Sequence, residues 1–158
     1  MMKITLIKTL VIFLVIQFIL GCSRVPITGR KHLNMIPNSE ILSMSFQEYK
    51  TFLQENKLST DRTQTEMVKR IGNNIKEAVE KYLNANQYSD LLDGYQWEFN
   101  LVESKEVNAW CMPGGKVVIY TGILPVTKDE DGLAIVMGHE IGHAIARHGN
   151  ERMSQGLL

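Results

Sequence analysis

Tyr95-Gln-Trp-Glu-Phe-Asn-Leu101, then Asn108-Ala-Trp-Cys-Met112, Pro113-Gly114-Gly115 and Lys116-Val-Val-Ile-Tyr-Thr121, is the stretch that decides the fold. In its first piece Tyr95, Trp97, Phe99 and Leu101 alternate with Gln96, Glu98 and Asn100, the period of a half-buried strand with one aromatic face. The next two apolar segments flank a Pro-Gly-Gly break and read as two short strands joined by a turn. Upstream the period is helical. Leu42, Phe46, Tyr49 and Leu53 share one face of a helix beginning at Asn38. A second helix starts near Thr63, with Glu66 completing a capping box, and carries a stripe of Met67, Ile71, Ile75, Val79 and Tyr82. Gly72 lies inside that stripe at a small cost. Downstream, a last helix runs from about Asp129 to about Arg147, with acidic residues in its first turn and Arg147 in its last. Helices segregated from strands make this an α+β chain: a helical N-terminal part, a small mostly antiparallel sheet, and a final buried helix.

The 158 residues suffice for one domain with a core. A hydrophobic content of 44% against 22% charged excludes wholesale disorder. Lys and Arg number 17, as do Asp and Glu, and no basic stripe stands out, so no nucleic-acid partner is expected. Lys3 and Lys8 precede an apolar run from Leu10 to Leu20 that is shorter than the ~20 residues of a membrane span but suits a signal-peptide core. The run ends at Ile19-Leu20-Gly21-Cys22, where a small residue directly before a Cys reads as a bacterial lipobox. Cys22 is then the lipidated first residue of the mature chain, and Cys111 has no partner for a disulfide. The expected organisation is a lipoprotein signal peptide over 1–21, an extended tether over 22–37 containing Pro26, Gly29, His32 and Pro37, and a folded part over 38–158. The expected location is the bacterial cell envelope, lipid-anchored to the membrane on the periplasmic side. Ser23, in place of an Asp, favours the outer membrane.

The chemistry lies in Gly138-His139-Glu140-Ile141-Gly142-His143. At about 100° per residue, His139 and His143 differ by about 40° and stand one turn apart on one helix face, so both imidazoles reach one cation. Glu140 lies beside them without being forced to bind. Two ligands and a general base have this spacing in hydrolytic zinc sites. There one Zn²⁺ per chain makes water nucleophilic at neutral pH, and Glu140 relays the proton to the leaving amine. Ala134, Ile135, Val136, Met137, Ile141, Ala144 and Ile145 leave the helix almost no polar face, so it is expected to be buried, where two His and a Glu are costly without a metal. Gly138 and Gly142 would admit a strand or substrate at close range. His148, about 140° beyond His143 on a regular helix, points away from the metal and reads as a capping or core contact. Cys111 reads as a small packing residue.

These residues resemble the gluzincin metallopeptidases of the M-forty-eight family, in the layout of its LoiP-type lipoproteins. The likeness rests on Pro26-Ile-Thr-Gly-Arg-Lys-His-Leu33, Asn108-Ala-Trp-Cys-Met-Pro-Gly-Gly115, Tyr120-Thr-Gly-Ile-Leu124, and Gly138-His-Glu-Ile-Gly-His143 with Arg147-His148. It implies that 38–158 is an incomplete metalloprotease domain whose third zinc ligand, a Glu on a later helix, is expected beyond Leu158. It also implies a sheet edge beside the metal, with Asn108, Ala109, Trp110, Pro113, Gly114 and Gly115 binding an extended protein or peptide substrate by main-chain hydrogen bonds. Misfolded envelope proteins are the implied substrate class. The competing expectation is a non-catalytic envelope lipoprotein that binds clients or assembly partners and keeps the zinc helix for structure.

Overall fold

The computed structural model describes residues 36–156, Gly29, and the backbone of 22–24 and 31–33. The signal peptide over 1–21, the Cys22 thiol and the His32 ring lie outside the described residues. Within the expected tether, the backbone of β1 (Cys22–Arg24) and β2 (Lys31–Leu33) forms a two-stranded antiparallel ladder. Among the described residues no helix is long and apolar enough to cross a membrane.

Helix α1 spans Asn38–Glu55 and α2 spans Arg62–Ala85. The cap of α2 is Asp61, whose carboxylate accepts the Gln64 N–H at 2.9 Å. Thr63 lies inside the helix, and Glu66 pairs with Arg62 one turn away instead of closing a capping box. The buried stripe of α2 runs through Val68, Ile71 and Leu83, while Tyr82 is half exposed. Gly72 has a packing reason. A Cβ there would run into the Phe99 ring, so the missing side chain lets the strand's aromatic lie flat on the helix.

Strands β3 (Glu98–Val102), β4 (Ala109–Met112) and β5 (Lys116–Tyr120) form one sheet in the order β3-β5-β4. The sheet is mixed. β4 and β5 are an antiparallel hairpin, with Met112 opposite Lys116, whereas β3 runs parallel to β5, with Phe99 opposite Val117. The cause is a crossing. Residues 103–108 pass over the end of β5 to the far edge before the chain returns through β4. Thr121 pins that crossing. Its hydroxyl donates to the Ser104 carbonyl at 2.9 Å and accepts the Ser104 N–H at 3.1 Å, while Gly122 N–H donates to the same carbonyl.

Side-chain alternation puts a helix layer on each face. Val117, Ile119, Phe99 and Leu101 join Val68, Ile71 and Leu83 of α2 in the main core, with Ala109 and Cys111 packed against it. Val118, Tyr120 and Val102 face Tyr49 and Phe52 of α1, together with Trp110 and Met112. β5 is therefore buried along its whole length. After a turn of 3-10 helix and the short α3 (Leu124–Thr127), α4 runs Glu130–Ile145 and α5 runs His148–Gln155. α4 packs beside α2, over the β4 side of the sheet.

Candidate metal centre

The start of α4 is fixed twice. Asp129 caps it by accepting the Gly132 N–H at 2.8 Å, and Glu130 forms a two-bond ion pair with Arg70 of α2 at 2.7 and 2.8 Å. Its seat is the stripe Leu133, Met137, Ile141 and Ile145, all in the main core. A helix seated on one stripe has an opposite side. Ile135 there is 74% exposed, and His139 and Gly142 are exposed as well. This corrects the expectation of a helix buried all round. The apolar composition of α4 overstates its burial, and the cost of burying two imidazoles is not what argues for a metal.

Geometry argues for it instead. The His139 and His143 rings lie 4.4 Å apart at 81°, with their Nε2 atoms 2.9 Å from each other. Two imidazoles on one tetrahedral Zn²⁺ need nitrogens about 3.3 Å apart, from a Zn–N distance of about 2.0–2.1 Å. A few tenths of an ångström of ring movement opens that gap, so this pair fits two positions of the metal. Among the described residues no group of three His, Cys, Asp or Glu side chains could hold an ion. Glu140 is half-buried and lines a cleft of about 590 Å³ together with His143, His148, Glu151, Arg152 and Gln155.

The profile of Peptidase family M48 matches residues 69–158, which contain the whole sheet and both of these histidines. The chain belongs to this family. Relatives of the M48 chain include the mitochondrial metalloendopeptidase OMA1 of Saccharomyces cerevisiae, 30% identical over 149 residues, covering 87% of this chain and 43% of that protein. The OMA1 of Schizosaccharomyces pombe is 32% identical over 133 residues, covering 82% and 36%. The beta-barrel assembly-enhancing protease of Escherichia coli is 38% identical over 52 residues, covering 33% and 11%. The chain thus spans less than half the length of these curated relatives.

Within this M48 chain, His148 departs from its expected place. The last helix does not continue to Arg147. α4 ends at Ile145, Arg147 takes the left-handed conformation (φ 58°, ψ 32°), and α5 starts at His148. The fold-back brings His148 Nδ1 within 2.6 Å of His143 Nδ1, and the α5 residues Glu151, Arg152 and Gln155 into the cleft. A regular helix would carry His148 away from His143, and the break after Ile145 reverses that. An Arg in the left-handed region is uncommon, so nothing in its residue type announces the break.

Cys111 sits on the α4 side of β4, packed against the main core. Burial, and then the charge of Glu140, pushes its thiol up to about 12. It stays protonated at neutral pH, which suits the packing role and not that of a thiolate ligand. α4, which carries Glu140, packs against β4.

Of the six residues implied for substrate, Asn108 is exposed, and Ala109 and Trp110 lie half-buried where β4 forms an edge of the sheet. Trp110 turns toward α1, edge-on to Phe52 at 4.9 Å. The opposite edge, β3, is covered by residues 57–59, whose main chain bonds Leu101 and Glu103. Pro113, Gly114 and Gly115 use their carbonyls internally, for Ser45 Oγ, Gln96 N–H and Glu98 N–H respectively. Gly114 (φ 88°) and Gly115 (φ 81°) are buried, and a Cβ would strike Phe46 at the first and Trp97 at the second. The structure thus places these two glycines in building the hairpin turn. Gly138 and Gly142 have nothing within 4 Å of a built Cβ, so among the described residues no strand approaches them.

Proposed function

We propose that this chain carries the catalytic helix of a zinc-dependent metalloendopeptidase of the bacterial cell envelope. It is lipid-anchored through Cys22 on the periplasmic side and acts on misfolded envelope proteins. The observation that carries the catalytic reading is the convergence of the His139 and His143 Nε2 atoms at 2.9 Å, with Glu140 on the same turn facing the cleft.

His139 and His143 would hold the ion from one face of α4. When bound, the zinc supplies Lewis acidity that makes water nucleophilic near neutral pH and polarises the scissile carbonyl. Glu140 takes a proton from the attacking water and delivers it to the leaving amine. β4 contributes the free sheet edge, along which an extended peptide pairs by main-chain hydrogen bonds. A third ligand completes the usual set of a hydrolytic zinc site and is expected from a carboxylate outside the described residues. The names of the relatives support peptide-bond hydrolysis, and the lipobox at Cys22 supports the envelope.

The test is cleavage of an unfolded protein such as reduced casein by the purified, zinc-supplied protein with its third ligand in place. Cleavage is expected to stop with a chelator and to fall about 10²–10⁴-fold in Glu140→Gln. Cleavage that survives both changes contradicts the assignment.

A further inference from the structure

We propose that His148 is a positioning residue for the metal. It accepts the Nδ1–H of His143 and so commits that ligand to the tautomer whose Nε2 lone pair faces His139. The proposal rests on the zinc reading above.

Ring nitrogens 2.6 Å apart, as His143 Nδ1 and His148 Nδ1 are, must share one proton. Two lone pairs or two N–H groups at that distance would repel. The same holds for the two Nε2 atoms at 2.9 Å. In the absence of a metal, and with His143 neutral, two arrangements satisfy both contacts. His143 either donates from Nδ1 to His148 and accepts at Nε2, or accepts from His148 and donates at Nε2 to His139. A cation between His139 and His143 removes the choice, because it requires a lone pair on both Nε2 atoms. The His143 proton must then sit on Nδ1, and an acceptor has to stand there. His148 Nδ1 is that acceptor, with its own proton on Nε2. A metal-bound histidine ordinarily gives its second N–H to a carboxylate, a carbonyl or water, and loss of that partner weakens metal binding about 10–100-fold.

His148 does not act as a ligand itself. Its close approach is to Nδ1 of His143, on the far side of the ring from the point where the Nε2 atoms converge. The device depends on the left-handed turn at Arg147. A helix continued through that residue would carry His148 about 140° around from His143.

Zinc affinity of the purified chain, measured by competition with a chromophoric chelator, tests this without recourse to activity. His148→Ala is expected to bind zinc about 10–100-fold more weakly than wild type. His148→Gln, whose side-chain carbonyl can accept the same proton, should recover most of that loss. ¹⁵N–¹H ring correlation spectra of the zinc-loaded wild type should show a protonated Nδ1 on His143 and an unprotonated Nδ1 on His148, which keeps the test valid even if His148→Ala fails to fold. Equal zinc affinity in wild type and a folded His148→Ala, or the reverse proton placement, overturns the proposal and leaves the peptidase reading standing. A wild-type protein with its third ligand in place that takes up no zinc overturns both.

Discussion

Cys111 shows how far the site's surroundings act on a single group. Its thiol is raised to about 12 by burial first and by Glu140 second. In the unfolded chain it titrates near 8.5. The folded state therefore keeps a proton that the unfolded state loses, and stability falls as pH rises from about 8.5 toward 12. Cys111→Ala should flatten that alkaline decline in a chemical-denaturation series, and native Cys111 should react with iodoacetamide at pH 8 at least about ten-fold more slowly than in urea. Equal rates in the two states would contradict the buried, protonated thiol. At this scale the meeting of His139 and His143 was legible in the sequence, because residues four apart on a helix meet whatever the rest of the fold does. The contact of His148 was not, because it depends on one backbone angle at Arg147.

The break between α4 and α5 is the feature of the elements on which the cleft depends. Arg147 holds φ 58° without being a glycine, so it carries left-handed strain of about 1–2 kcal/mol. Arg147→Gly should leave thermal stability unchanged or raise it. Arg147→Val, β-branched in the same conformation, should lower stability by at least about 1 kcal/mol in urea titrations. A stabilising Val would mean that the turn is not where it is placed. Element boundaries were largely readable. The start of α1 at Asn38 matches what folds, and Phe99 and Leu101 alternate into the core from β3, although that strand begins at Glu98 and not at Tyr95. The helix stripes hold for the most part: Leu42, Tyr49 and Ile71 are buried, and Met67, Ile75 and Val79 pack against the main core. On α2 the expected Tyr82 is exposed and Leu83 buried, and on α4 Ile135 faces out. Composition says how apolar a helix is, but only its neighbours decide which apolar side is covered.

For the molecule as a whole, the sheet order was the part the sequence concealed. A turn at Pro113–Gly115 announces the β4–β5 hairpin, but nothing local says that β3 lies parallel to β5 on its other side. That pairing depends on residues 103–108 crossing the sheet end and on Ser104 meeting Thr121, contacts 17 residues apart. The result is a sheet sandwiched between α1 and the α2–α4 layer, with β4 along an edge and the histidine pair on the helix over it. Lys116 shows how closely that sandwich is built. It is 7% exposed, paired with Glu98 at 3.2 Å, and lies over the Phe46 and Tyr49 rings of α1. On the proposed reading, this architecture presents two imidazoles to one ion. X-ray absorption at the zinc edge of the metal-loaded protein tests it most directly. One zinc per chain with imidazole nitrogens at about 2.0–2.1 Å, lost when His139 and His143 are both replaced by alanine, is the predicted result. Zinc that stays bound with an unchanged spectrum in that double variant would contradict it.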